Sequence, residues 1–124
     1  MARDSGGVPI TVLIVDDHAS FRRAARMLLQ ADGYVVVGEA VDGASGLSEA
    51  RRLHPDVVLL DVGLPDQSGL DLVGELAAEP DPPAVVLVSS RDQSDFGRLI
   101  DQSGARGFIA KSRLSADSLQ ELIE

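Results

Sequence analysis

Short apolar runs recur along this chain at spacings of roughly 20 to 30 residues. They are ITVLIV (10–15), YVVVGEAV (34–41), DVVLL (56–60), AVVLV (84–88) and GFIA (107–110). Val57 to Leu60 in the third run and all of the fourth are apolar at every position, as strands covered on both faces are. Between them, apolar residues return every three or four positions, the spacing of amphipathic helices. Phe21, Ala24, Ala25, Leu28 and Leu29 predict a helix near 20–31, stopped by Ala31-Asp32-Gly33. The second run is broken by Gly38 and predicts an edge strand. Asp42-Gly43 then turns into a helix near 44–53, closed by His54-Pro55.

Asp61 to Gly69 is rich in Gly, Pro and Asp and predicts a loop, followed by a helix over 69–78. Glu79-Pro80-Asp81-Pro82-Pro83 predicts a linker. Phe96, Leu99, Ile100 and Ser103 outline one face of a fourth helix over 94–103. An interior Gly97 would weaken that helix by about 1 kcal/mol relative to Ala. Ser115 or Asp117 can cap a last helix carrying Leu119, Leu122 and Ile123. Alternating strands and helices predict a (βα)₅ α/β domain around a parallel sheet. Its expected extent is 9–124, after a disordered tail at 1–8.

Composition narrows the function. The net charge of −9 gives the domain little electrostatic reason to bind nucleic acid by itself. The chain has no cysteine, which excludes disulfides, thiolate metal sites and cysteine nucleophiles. No apolar run approaches membrane-spanning length and the first residues form no signal-like segment. A cytoplasmic protein without a membrane contact is therefore expected.

The chemistry lies where the runs stop. The first ends at Asp16-Asp17, the third at Asp61, the fourth at Ser89-Ser90 and the fifth at Lys111. In an open parallel sheet, ligands bind outside the carboxyl ends of the strands at the switch in strand order. Three carboxylates, a hydroxyl and an ammonium would converge there. Lys111 is the only lysine in the chain, and a compact ammonium is a point-charge partner for phosphate. Asp61 can act as a nucleophile forming an acyl phosphate. Asp16 and Asp17 offer hard oxygen ligands for Mg²⁺, which takes carboxylates, phosphate oxygens and waters. Ser89 and the backbone amides near Gly63 and Ser90 can hydrogen-bond phosphoryl oxygens. Taken singly, each group has a plainer role: an Asp-Asp pair as a helix cap, a strand-end Lys as a solvated residue. His18, beside the acidic pair, could approach a metal but is expected rather to face solvent, and His54 to end a helix.

The motifs VDDH (15–18), LLDVGLPDQSGLD (59–71), VLVSS (86–90) and GARGFIAK (104–111) together resemble the response regulator receiver domain of bacterial two-component signalling. The resemblance covers 9–124. It implies a flavodoxin-like, doubly wound fold with strand order 2-1-3-4-5. It further implies that Asp61 accepts a phosphoryl group from the phosphohistidine of a sensor histidine kinase. Mg²⁺ would be held by Asp16, Asp17, Asp61 and the backbone carbonyl of Gly63. Ser89 would be the switch hydroxyl, Lys111 the catalytic lysine and Phe108 the switch aromatic. The helix 4, strand 5 and helix 5 surface would bind a downstream protein or a second copy of the chain. VDDH with GFIAKS is similar to the branch that often carries a C-terminal helix-turn-helix.

Two departures stand out. Ser112 follows the lysine where proline is common, so a trans bond and an altered loop are expected. Phe108 lacks the hydroxyl of the commoner tyrosine. Two functions compete with a phospho-acceptor: a Mg²⁺-dependent phosphohydrolase using an aspartyl phosphate, and a pseudo-receiver that binds proteins without phosphate. The adjacent acids and the lack of a cap insertion argue against the first. The complete acid, serine and lysine set argues against the second.

Overall fold

The computed structural model describes residues 8–90 and 96–124. The elements run β1 (Thr11–Val15), α1 (Ala19–Ala31), β2 (Val35–Ala40), α2 (Gly43–Leu53), β3 (Val57–Asp61), α3 (Gly69–Ala77), β4 (Ala84–Ser89), α4 (Arg98–Ser103), β5 (Gly107–Ala110) and α5 (Ala116–Ile123). The strands form one parallel sheet in the order β2-β1-β3-β4-β5. From β1 the chain moves outward to β2, then returns past β1 to β3. The switch in direction therefore falls between β1 and β3, and Asp16 and Asp61 stand at their carboxyl ends.

The period-two alternation of the strands sorts the core into two layers. Val12, Ile14, Val57, Leu59, Val86, Val88 and Ile109 pack with Ala25 and Leu29 of α1 and Leu119 of α5. On the opposite face, Leu13, Val15, Val58, Leu60 and Leu87 pack with Ala50, Leu72, Val73, Leu76 and Ile100 of α2, α3 and α4. Every residue of β3 is buried, which is why its sequence shows no alternation.

Most boundaries fall within a residue or two of those expected, and local chemistry explains them. Asp42 caps α2 in a reciprocal capping box with Ser45, and Ser115 does the same for α5 with Ser118. Of the two candidates for the last cap, Ser115 is the one used. His54 ends α2 in the left-handed region with φ 48°. β2 is an edge strand as expected, but Gly38 does not break it. The ladder to β1 skips Val37 between Val36 and Gly38, a bulge that lets the strand continue.

The fourth helix departs from expectation. It begins at Arg98, and Gly97 precedes it as the N-cap with φ 49° and ψ −126°. That backbone conformation suits glycine, so Gly97 sets the start of the helix instead of weakening its interior. Ser94 and Asp95, also expected in this helix, lie outside the described residues, as do residues 1–7 of the expected 1–8 tail. After β5 the chain turns through a short 3₁₀ segment, Lys111–Arg113, and no peptide bond among the described residues is cis.

Candidate functional site

The end of β1 delivers two acids with opposite exposures. Asp16 is fully buried, whereas the Asp17 side chain is 36% exposed. Asp16 is fixed on several sides. Its amide continues the ladder to the Ala40 carbonyl at 2.9 Å. Its Oδ1 accepts the His18 amide at 2.8 Å, and its carbonyl accepts Arg22 Nη1 at 2.7 Å. Arg22 Nε donates to Glu39 Oε1 on β2 at 2.9 Å, and Arg26 Nε donates to Glu39 Oε2 at 2.7 Å. Burial pushes the Glu39 carboxyl up, but the hydrogen bonds and charges of Arg26 and Arg22 outweigh it and hold the group below its usual range. This clamp ties the acidic turn to both α1 and β2.

Asp61, at the end of β3, is buried as well. Its Oδ1 accepts the Gly63 amide at 3.1 Å and its Oδ2 faces Lys111 Nζ at 3.4 Å. The Gly63 amide, expected to cradle a phosphoryl oxygen, is thus engaged by Asp61 itself. Burial raises the Asp61 carboxyl above the usual range, opposed by the Gly63 amide, reinforced by the Asp16 charge and opposed again by Lys111.

The loop after Asp61 is anchored at both ends. Gly69 donates its amide to the Val62 carbonyl at 2.8 Å. A Cβ at Gly69 would lie 2.2 Å from the Asp61 carbonyl oxygen, so only glycine lets α3 start this close to the site. In mid-loop, Asp66 accepts the Gly43 amide at 2.7 Å and the Ala44 amide at 3.0 Å, at the start of α2. Those amides keep the Asp66 carboxyl below its usual range.

β4 and β5 bring the remaining groups. Their register sets Asp61 beside Val88 and Ser89 beside Ala110, so buried Ser89 and Lys111 follow at neighbouring strand ends. Lys111 Nζ lies 2.6 Å from Asp16 Oδ2. The contact is ionic, since no aligned hydrogen bond reaches that buried oxygen. The ammonium also stands 4.7 Å from the centre of the Phe21 ring, in cation–π range. Phe108 is half-buried opposite Leu87, its ring centre 5.8 Å from that of Phe96.

Asp16, Asp17, Asp61 and Lys111 thus gather at one end of the sheet, with Ser89 at the end of the neighbouring β4 and Phe108 two residues short of the end of β5. Ligand atoms of Asp16, Asp17, His18 and Asp61 lie within 4.8 Å of one another. Sequence reasoning missed Arg22, Glu39 and Phe21 as supports of this site. Phe21 was legible only as a residue of the α1 apolar face. The His18 side chain is 61% exposed, as expected, yet its Nδ1 turns inward to the acids.

A doubly wound sheet with a buried acid at its switch point and a lysine facing it is the arrangement expected from the resemblance to receiver domains. The response regulator receiver domain family matches residues 12–124, and the chain belongs to that family. It is 43% identical to the nitrate/nitrite response regulator protein NarP of Escherichia coli over 83% of this chain and 48% of that protein. It is 39% identical to the response regulator GacA of Pseudomonas viridiflava over 91% of this chain and 53% of that one. The chain therefore spans about half the length of these curated relatives. Among solved structures, the receiver domain of NarL from Mycobacterium tuberculosis superposes with a TM-score of 0.84 at 31% identity, covering 92% of this chain and 95% of that one. No helix among the described residues is long and apolar enough to cross a membrane.

Proposed function

We propose that this domain takes a phosphoryl group onto Asp61 from the phosphohistidine of a sensor histidine kinase, with Mg²⁺, and that the acyl phosphate switches a protein-binding surface. The observation that carries the reading is the buried Asp61 carboxylate held between the Gly63 amide and the Lys111 ammonium. The donor set fits Mg²⁺. Asp16 is shut off from water, and one of its oxygens is satisfied only by ionic contact with Lys111. Asp16, Asp17 and Asp61, with the Gly63 carbonyl, would hold the ion. When bound it supplies positive charge against the phosphoryl oxygens.

The chain's own residues do the rest. An Asp61 oxygen attacks phosphorus and forms the acyl–phosphate bond. The P–N bond of the donor breaks, its electron pair returning to the imidazole nitrogen, which takes up a proton. Lys111 neutralises a phosphoryl oxygen, and its contact with Asp16 ties that charge to the site. The Ser89 hydroxyl turns to another phosphoryl oxygen, and Phe108 responds to the space it leaves. The surface formed by α4, β5 and α5 then binds a downstream protein or a second copy of the chain, a two-state element biased by a local charge. The domain is a signalling phospho-acceptor rather than an enzyme acting on an external substrate.

Mass spectrometry after incubation with Mg²⁺ and acetyl phosphate tests the reading. The wild type should gain one phosphoryl group, mapped to Asp61, and Asp61→Asn should gain none. Equal labelling of the variant, or a wild-type label elsewhere, refutes it.

A further inference from the structure

We infer that the cation site carries a nitrogen ligand, His18, and therefore also takes a transition cation such as Zn²⁺ or Co²⁺ more tightly than oxygen ligands alone would allow. The inference rests on the proposed cation site but makes a separate claim about which ions it holds.

The geometry points this way. His18 Nδ1 lies 3.0 Å from Asp16 Oδ1, 3.3 Å from Asp17 Oδ1 and 3.8 Å from Asp61 Oδ2. A tetrahedral zinc ion with bonds of about 2.0–2.1 Å separates its ligand atoms by roughly 3.3 Å. These three distances bracket that value, so the imidazole nitrogen already stands at ligand spacing from three carboxylates. The local contacts of the ring all lie within the site: Nδ1 is at hydrogen-bond distance from Asp16 Oδ1, 3.0 Å, and faces Lys111 Nζ at 3.4 Å. His18 is the N-cap residue of α1, but its side chain makes no capping bond, and its backbone amide already fixes the turn on Asp16 Oδ1 at 2.8 Å. With 61% of the side chain exposed, the ring is reachable from solvent. The inner end of the site is not: Asp16 is wholly buried, one oxygen lacking an aligned donor.

Donor chemistry then separates the metals. Mg²⁺ prefers six oxygens and is reluctant to leave its waters, whereas imidazole suits Zn²⁺, Ni²⁺ and Cu²⁺. Removing the ring should cost little for Mg²⁺ and much for Zn²⁺. Lys111 shares the same space, with Nζ 3.4 Å from His18 Nδ1 and 2.6 Å from Asp16 Oδ2. Any dication must open that contact, so its cost cancels when two dications are compared. The plainer alternative is that the ring N–H only hydrogen-bonds the buried Asp16 carboxylate.

The test uses the whole chain, unphosphorylated, and titrates Zn²⁺ and Mg²⁺ separately by calorimetry. Co²⁺ visible absorption and NMR of the imidazole nitrogens report the ligand itself. His18→Ala should weaken Zn²⁺ binding on the order of 10- to 100-fold, as loss of a metal-site contact does, and change Mg²⁺ binding less than about twofold. The Co²⁺ spectrum and the His18 Nδ1 shift should change in the wild type alone. His54→Ala, at the far end of α2, should bind Zn²⁺ as the wild type does. Zn²⁺ affinity indifferent to His18, equal losses for both metals, or a loss with His54→Ala each overturns the inference. If Zn²⁺ fails in this way while Asp61 still accepts phosphate with Mg²⁺, the proposed function survives. If Zn²⁺ binds through His18 but Mg²⁺ supports no phosphorylation, the inference stands and the proposed function falls.

Discussion

Neutralising Asp61 should make the metal-free protein more stable. Its carboxylate is 5% exposed, and the Asp16 ligand oxygen lies no more than 4.8 Å away. At an effective dielectric of about 20, like charges at that separation repel by roughly 3.5 kcal/mol, and Lys111 at 3.4 Å attracts by roughly 5 kcal/mol. Removing a carboxylate from water costs several kcal/mol more, which reverses the balance. Burial is the main cause of the raised Asp61 carboxyl. Asp61→Asn keeps the acceptor for the Gly63 amide and removes the charge, so a gain of about 1–2 kcal/mol at neutral pH is expected.

The pH dependence carries the sign. A carboxyl raised in the folded state binds its proton more tightly folded than unfolded. Below the ordinary carboxyl value of 3.8 both states are protonated, and wild type and variant should coincide. As pH rises from there through the raised folded value, the wild type loses stability relative to Asp61→Asn, and the gap then stays open. Thermal unfolding in EDTA from about pH 3.5 to 7.5 measures it, with the variant melting about 3–8 °C higher at the top of the range. A variant less stable at neutral pH, or a gap independent of pH, refutes the reasoning.

Further outcomes follow from the site's supports. Gly69→Ala should cost about 3 kcal/mol in denaturant unfolding, because the new Cβ meets backbone at Asp61 and Val62 that cannot rotate aside. Arg22→Ala should weaken Mg²⁺ binding severalfold in a metal titration. It should also let the Glu39 carboxyl rise toward its usual range in an NMR pH titration, since only Arg26 would remain as its partner. Ser89→Ala should leave Asp61 able to accept phosphate but uncouple the Phe108 ring resonances from a beryllofluoride phosphoryl mimic. Identical ring responses in wild type and variant would remove the serine from the switch.

The fold was legible because the central strands are almost wholly apolar and each stops at a polar residue. Once the strands are parallel neighbours, those stops must meet, so Asp16, Asp61, Ser89 and Lys111 could be placed together without knowing a distance. What stayed hidden depends on contacts between elements. Arg22 is one of ten arginines, and nothing in its neighbourhood marks it as the donor to the Asp16 carbonyl. Phe21 fits the apolar face of α1, and only the folded structure shows that its ring lies under the Lys111 ammonium. Gly97 occupied a helical period, but the period cannot reveal a backbone with positive φ. Nor can exposure reveal direction: His18 is mostly in solvent, yet its Nδ1 points inward.

Lys111 is the chain's single lysine, and its side chain is only 14% exposed. Apart from the terminal amine, acylating or alkylating reagents aimed at amines can therefore find only this one target. Its rate of modification reads how tightly Asp16 and Asp61 hold the ammonium. Anything that draws the acids toward another charge frees Lys111 to react, and anything that draws Lys111 onto a new anion shields it. The protein thus carries a built-in chemical footprint of its own site, readable by mass without a label, a chromophore or a substitution.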